Sequence, residues 1–167
     1  MNAVSNGQED ILEQLLDLLT EMKIDYCVIG GLAVNAYVEP VVSLDLDIVV
    51  VAEAMDRLIK AVGNIFNIEQ FPHSFNLSVR KSDLRIQLQT DSRYQPFISR
   101  SSVRDIMGYK MKVATIEDVL QGKIWAYSDE QRRKSKRQKD LADIFRLVES
   151  YPELRDLLPK SIRDREF

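Results

Sequence analysis

The feature that most constrains the fold is the alternating acidic and apolar run Leu44-Asp45-Leu46-Asp47-Ile48. Side chains of a strand point alternately to opposite faces, so this run predicts a strand with both aspartates on one face, their Cβ atoms about 7 Å apart. Two like charges so close on an apolar strand need a counter-charge, and carboxylate oxygens suit Mg²⁺ or Mn²⁺. The run therefore predicts a divalent-metal site. Taken alone it also fits an exposed edge strand with an acidic face.

A glycine pair, Gly30-Gly31, follows the short β-prone run from Tyr26 to Ile29 and precedes residues of helical composition that end at Glu39-Pro40. This order predicts a strand, a glycine turn and a short helix. Small residues at such a turn let a phosphate approach the backbone, whose N–H groups can bind it. The pair has neither Walker A nor dinucleotide-binding spacing, so on its own a tight turn is the simpler interpretation.

Together, the segment Val28-Ile29-Gly30-Gly31-Leu32-Ala33-Val34 and the later Asp-x-Asp strand resemble the core of the nucleotidyltransferase (DNA polymerase β-like) superfamily. Within it the chain is most similar to the AbiEii-type branch, which is known from abortive infection and toxin–antitoxin systems. That branch also has a lysine on a later helix and a Lys-Asp-x-x-Asp stretch. This chain has Lys123 and Lys139-Asp140-Leu141-Ala142-Asp143 in the same order, so the resemblance covers about residues 24–149.

The resemblance implies an α+β nucleotidyltransferase fold, a small mixed β-sheet flanked by helices with C-terminal helices. We expect a single domain over residues 1–167, with a core of about 24–110 and a helical C-terminal portion of about 115–160. The implied reaction is metal-dependent transfer of a nucleoside monophosphate from an NTP to a hydroxyl acceptor on RNA, tRNA or protein. An antitoxin protein is a further partner that the resemblance allows.

The resemblance also implies a role for each site residue. Asp45 and Asp47 would bind Mg²⁺ or Mn²⁺ and help activate the acceptor. The glycine pair would cradle the β and γ phosphates, and Lys123 would balance the charge of the triphosphate. Asp140 would orient the acceptor or act as a base.

Helical periodicity predicts the positions of Lys123 and Asp140 without reference to the resemblance. On a helix that begins near Ile116, Lys123 lies on the apolar face, so its ammonium group needs a partner if it is buried. The alternative is a lysine whose stem covers apolar surface while its head reaches water. On the last long helix Asp140 borders the packed face, whereas we expect Asp143 and Lys139 to point toward solvent.

One position departs from the superfamily pattern. The superfamily usually supplies a third metal-binding carboxylate from a neighbouring strand, and the matching position here is Gln87. A neutral amide is a weaker ligand and compensates less of the charge of a cation. Asp83 or Asp91 at the strand ends, or Asp140 from the helix, are alternatives for the third acid. Gln87 also favours a second function, a nucleotide- or RNA-binding module of the same fold that has lost turnover.

Composition narrows the chemistry. The single cysteine, Cys27, cannot form an internal disulfide, and the single histidine, His73, cannot supply a Cys/His metal site. The net charge of -3 argues against a nonspecific nucleic-acid coat, although the basic run from Gln131 to Lys139 suits a triphosphate, an RNA backbone or a solvated helix face. No apolar run approaches the roughly 20 residues that span a bilayer, and the N-terminus lacks signal-peptide features, so we expect a cytoplasmic protein.

Overall fold

A seven-stranded mixed sheet with helices packed around it forms the centre of the computed structural model, which describes residues 10–165. The strands are β1 (Tyr26–Ile29), β2 (Asp45–Val50), β3 (Asn67–Phe71), β4 (Ser74–Ser78), β5 (Arg85–Gln89), β6 (Ser102–Ile106) and β7 (Tyr109–Val113). The helices are α1 (Ile11–Glu21), α2 (Gly30–Val34), α3 (Met55–Val62), α4 (Gln95–Arg100), α5 (Ile116–Ser128), α6 (Lys134–Ser150) and α7 (Lys160–Arg163). The order across the sheet is β3-β4-β5-β2-β1-β7-β6, which confirms the predicted α+β class.

Strand β2 lies in the interior of the sheet, between β1 and β5. It runs antiparallel to β1 and parallel to β5, where Asp47 lies opposite Gln87. Leu46 and Ile48, which alternate with the acidic residues, are fully buried in the apolar core. The alternative of an exposed edge strand is therefore wrong, because Asp45 and Asp47 belong to a strand that is paired on both sides.

The glycine turn has the predicted form. Strand β1 ends at Ile29 and α2 begins at Gly30, whose φ of +75° lies in the left-handed region that favours glycine. Helix α2 is shorter than predicted and ends at Val34. The reason is the buried side chain of Asn35, which accepts a hydrogen bond from the backbone N–H of Val41 and donates one to its carbonyl. These two bonds hold the intervening residues as a loop.

The sequence patterns do not predict β3, α4 or the β6–β7 hairpin. Strands β3 and β6 form the two edges of the sheet, and most of their side chains are exposed, so neither shows apolar alternation. The hairpin turn has positive φ at both Met107 and Gly108, and methionine is not a residue that signals such a turn. Because β7 pairs with β1 through Val113 and Val28, the sheet extends past the predicted core limit near residue 110.

The amphipathic helices pack as their periodicity predicts. Helix α1 buries Leu12, Leu15 and Leu19 in the apolar core that also covers the sheet. Helix α5 begins after Thr115, whose hydroxyl accepts a hydrogen bond from the backbone N–H of Asp118 at 3.1 Å. Thr115 thus caps the helix, which begins at Ile116, where the periodicity places its start.

The single cysteine and the single histidine lie in very different environments. Cys27 is buried in the core, and burial raises the pKa of its thiol to about 12. His73 is exposed in the turn between β3 and β4. No helix within residues 10–165 has the length and apolar character needed to cross a membrane. The first nine residues, on which the predicted lack of a signal peptide depends, lie outside the described range.

Candidate active site

One cleft of about 340 Å³ collects the residues that the sequence singles out. Its walls come from the glycine turn, the loop before β2, strands β2, β4 and β5, and helices α5 and α6. The predicted site residues that line it are Gly30, Gly31, Asp45, Asp47, Lys123 and Asp140. The fold therefore brings residues from the two halves of the chain into one space whose volume is typical of a ligand site.

The carboxyl group of Asp47 packs against the glycine turn. A Cβ atom on Gly30 would overlap Oδ2 of Asp47 and lie 3.2 Å from its Cγ. A Cβ atom on Gly31 would instead meet only Oδ2 of Asp143 and Oγ of Ser43, both at 3.8 Å, which is ordinary contact distance. Gly30 is thus required by the position of Asp47, whereas the space over Gly31 opens toward the cleft.

The environment of Asp47 disfavours its charged form. Burial is the main reason that the pKa of this carboxyl is raised, and the nearby carboxylate of Asp45 acts in the same direction. Lys123 lowers the pKa, followed by smaller effects of Arg132 and Lys136, but these cations do not cancel the cost of burial. A further cation at this carboxyl group would offset that cost.

The sheet presents amides beside Asp47 where a third carboxylate is expected. Gln87 lies opposite Asp47 in the β2–β5 register, and Asn76 lies opposite Gln87 in the β4–β5 register. Both amides line the cleft. Asp45 lies at the cleft mouth with 54% of its side chain exposed, 3.8 Å from Nε of Arg85. Gln87 is the direct neighbour of the second aspartate, on the strand next to β2.

The three aspartates considered as a substitute third acid are engaged or distant. Asp91 forms a salt bridge of 3.2 Å with Arg93 at the end of β5, and Asp83 is not part of the cleft lining. Asp140 lines the cleft but accepts hydrogen bonds from two cations through both of its oxygens. Within residues 10–165, no set of three or more His, Cys, Asp or Glu side chains is placed to hold a metal ion. The cleft-lining carboxylates of β2 are therefore accompanied by the amides of Gln87 on β5 and Asn76 on β4.

A buried ion-pair network joins α5 to α6. Nζ of Lys123 lies 3.0 Å from Oδ1 of Asp140 and 2.9 Å from Oδ2 of Asp143. Arg132 contacts Oδ2 of Asp140 at 2.7 Å, and Arg146 contacts Oδ1 of Asp143 at 2.8 Å. Burial lowers the pKa of Lys123, but the two carboxylates outweigh it, so the pKa is raised and the ammonium stays charged at neutral pH.

This network confirms one expectation about the helix faces and corrects another. Lys123 is buried with partners, so the alternative in which its head reaches water is wrong. Asp143, expected to point toward solvent, instead lies in the cleft with only 15% of its side chain exposed, because Lys123 and Arg146 supply its counter-charges. Lys139 is exposed, as expected, but it also lines the cleft.

The sequence patterns do not single out Arg146 or Asn35, although both residues line the cleft. Arg146 donates hydrogen bonds to Oδ1 of Asn35 at 3.0 Å and to the carbonyl of Glu39 at 2.8 Å. It thereby ties α6 to the loop between α2 and β2. In the sequence, the position of Arg146 three residues after Asp143 indicates a helical ion pair. Its contact with Asn35 has no such signal, because Asn35 lies 111 positions earlier.

The sequence matches the protein family described as "Nucleotidyl transferase AbiEii toxin, Type IV TA system" over residues 21–166. The chain belongs to the AbiEii nucleotidyl transferase family. The match includes the whole of the region, about residues 24–149, over which the motifs resemble this family, and the family assignment made from the motifs is confirmed. No curated protein sequence matches the chain.

Solved structures share the fold at low sequence identity. ANT(2″)-Ia in complex with adenylyl-2″-tobramycin aligns with a TM-score of 0.66 and 17% identity, covering 93% of this chain and 96% of that one. The lincomycin-bound lincosamide antibiotic adenylyltransferase LnuA aligns with a TM-score of 0.58 and 17% identity, covering 84% and 98%. An antigenic nucleotidyltransferase-like protein from Paracoccidioides brasiliensis aligns with a TM-score of 0.56 and 22% identity, covering 83% of this chain and 74% of that one. These similarities confirm the predicted nucleotidyltransferase fold.

The two glycines of the turn should respond differently to alanine. Gly30→Ala places a methyl group on the Asp47 carboxyl and keeps a positive φ, so we expect a loss of at least about 2 kcal/mol of folding free energy. Gly31→Ala should stay within about 1 kcal/mol of the wild type, because its contacts are ordinary and alanine favours a helix. Urea denaturation of both variants measures the difference. Equal losses would contradict the contact between Gly30 and Asp47.

Asp47→Asn should raise the stability of the metal-free protein at neutral pH. A carboxyl whose pKa is higher in the folded than in the unfolded chain costs stability as the pH rises through the folded pKa, and the full cost remains above it. The amide removes that cost, so the gain over the wild type should be largest at pH 7.5 and should shrink as the pH falls toward the unfolded value. Denaturation in EDTA across this range is the measurement. Asp45→Asn, at an exposed position, is the control and should show a smaller gain.

Lys123→Met should destabilise the fold, because it leaves two carboxylates with one cation each. We expect a loss near the lower end of the range for breaking a buried ion pair, about 3 kcal/mol, since Arg132 and Arg146 remain. Thermal and urea denaturation measure the change. Lys134→Met, at an exposed position at the start of α6, should change stability by less than about 0.5 kcal/mol. Similar behaviour of the two variants would contradict the bonding of the Lys123 ammonium group.

Proposed function

We propose that this chain is a metal-dependent nucleotidyltransferase that transfers a nucleoside monophosphate from an NTP to a hydroxyl acceptor on RNA, tRNA or protein. The observation that carries the proposal is the pair of aspartates on an interior strand, packed at the glycine turn and facing the cations of α5 and α6 across one cleft. Membership of the AbiEii family supports this reaction. The adenylylated ligand in the structure of ANT(2″)-Ia is consistent with the same class of reaction on this fold.

The residues at β2 fit one divalent cation. Mg²⁺ is commonly held by one or two carboxylates, with substrate phosphates and water completing its coordination shell. Asp45 and Asp47 are those carboxylates, and Gln87, which lies opposite Asp47 on β5, also lines the cleft. A bound cation would also stabilise the ionised form of Asp47, whose pKa is raised by burial. When bound, Mg²⁺ or Mn²⁺ supplies charge neutralisation to the reacting phosphate.

The other residues of the cleft divide the remaining work. In the transfer, the acceptor hydroxyl gives up its proton to water and its oxygen forms a bond to the α-phosphorus, while the bond from that phosphorus to pyrophosphate breaks. Gly30 and Gly31 leave the turn uncovered, so that the β and γ phosphates can approach its backbone. Lys123 contributes positive charge near Asp47. Both oxygens of Asp140 are bound by cations, which favours positioning of those cations over the role of a general base.

Transfer can be tested without knowing the acceptor. The protein is incubated with a cell extract, Mg²⁺ and each NTP in turn, labelled either at the α or at the γ phosphate. Nucleotidyl transfer should move the α label, and not the γ label, onto an RNA or a protein. The double variant Asp45→Asn/Asp47→Asn should lose at least about 100-fold of this labelling, because it removes both proposed metal ligands. Transfer of the γ label would identify a kinase instead, and undiminished labelling by the double variant would remove the aspartates from the mechanism.

Gln87 favours a second candidate, a nucleotide- or RNA-binding module of the same fold without turnover. An aspartate at this position would add a hard anionic ligand next to Asp47. If the wild type binds NTP but transfers no label, and Gln87→Asp both tightens Mn²⁺ binding and starts transfer, the binding module is the better description. Transfer by the wild type excludes it.

The family description also supports a toxin role. An antitoxin protein is then the proposed partner, and the cytoplasm is the proposed location. Both proposals follow from family membership and from the sequence, and neither depends on the geometry of the cleft.

A further inference from the structure

The basic run before and within the first turns of α6 separates into two faces. Arg132, Lys136 and Lys139 line the cleft. Arg133 and Lys134 are exposed and lie outside the cleft lining. A run that is uniform in sequence is therefore divided in the fold, and only part of its charge faces the proposed nucleotide site.

Lys136 and Lys139, on the cleft face, have no anionic partner in the part of the chain that the structure describes. The acids one helical turn farther along α6 are Asp140 and Asp143, which stand four residues after Lys136 and Lys139. Both carboxylates are instead taken up by Lys123 and the two arginines of the buried network. Over residues 10–165, neither lysine's ammonium group forms a salt bridge or a hydrogen bond. Their charge is thus available to a ligand.

The charge of the cleft matches a polyphosphate. Of the described residues, six with cationic and four with acidic side chains line it, which leaves two positive charges. A divalent cation at Asp45 and Asp47 would bring the excess to about four, the charge that an NTP triphosphate carries with opposite sign near neutral pH. Lys136 acts electrostatically on Asp47, so it stands within range of phosphates gathered around that metal.

We propose that Lys136 and Lys139 bind the β and γ phosphates of the NTP, and that Lys123 mainly positions α6 against α5. The inference rests on the proposed function, because it assigns residues to the substrate of that reaction. Long, mobile lysine side chains bind phosphate as point charges without requiring one fixed geometry. By contrast, the ammonium group of Lys123 already donates to two carboxylates.

Two double variants with the same change in net charge separate this role from a general effect of the basic run. Lys136→Gln/Lys139→Gln neutralises the cleft face, and Arg133→Gln/Lys134→Gln neutralises the outer face. All four residues are exposed, so both proteins should fold. Each NTP and its matching NMP are titrated by calorimetry with Mg²⁺ present, and inorganic tripolyphosphate is used as a competitor.

We expect the cleft variant to lose about tenfold or more in NTP affinity and little in NMP affinity, because only the triphosphate reaches the lysines. Tripolyphosphate should displace NTP from the wild type. The outer-face variant should bind NTP within about twofold of the wild type. Unchanged NTP affinity in the cleft variant overturns the inference and leaves the proposed function standing. Equal loss of NTP affinity in both variants also overturns the inference, because it indicates a general electrostatic effect of the basic run. Failure of the wild type to bind any NTP overturns the proposed function itself.

The same proteins titrated with a single-stranded RNA oligonucleotide distinguish the other ligand suited to a basic run. RNA bound through nonspecific phosphate contacts would weaken in both double variants and would show a steep dependence on salt. Loss of RNA affinity in the cleft variant, with NTP affinity retained, would assign the lysines to an RNA backbone and overturn the proposal.

Discussion

The contact between the carboxyl group of Asp47 and the backbone of Gly30 is the constraint on which the rest of the site depends. It requires a residue without a side chain at the end of β1, a backbone with positive φ, and a central strand that brings the acid under the turn. Asp47 is half-buried in the wall of the cleft, and this partial loss of hydration makes its negative charge costly unless nearby cations compensate it. The cations of α5 and α6 provide part of that compensation, and they reach the cleft only because the C-terminal helices pack against the glycine helix.

In the buried network of α5 and α6, the protein itself supplies the counter-charges of its buried carboxylates. Three cations and two carboxylates satisfy one another, and each carboxylate is bound on both oxygens. Buried ion pairs contribute little net stability compared with apolar packing, because desolvation offsets their attraction. The network does fix a geometry, since Lys123 of α5 contacts two carboxylates that stand three residues apart on α6.

Much of the fold and of the site was predictable from short patterns in the sequence. The alternation around Asp45 and Asp47, the glycine turn and the start of α5 near Ile116 all depend on residues close together in the chain, and the structure has them as predicted. What the patterns could not supply were exposed edge strands, which lack alternation, and contacts between distant segments. Asp143 illustrates the second limit: periodicity placed it toward solvent, but its partners Lys123 and Arg146 draw it into the cleft.

Helix α6 has consequences for how the cleft can adapt to its contents. Its 17 residues make a rod about 25 Å long, pinned near its middle to α5 and near its far end, through Arg146, to the loop that leads into β2. A displacement of one end of α6 is therefore resisted by the contacts of the other end. Adjustment of this side of the cleft to ligands of different shape must then come from the side chains of α6. Any contact that these long side chains make with a ligand would therefore cost side-chain conformational entropy.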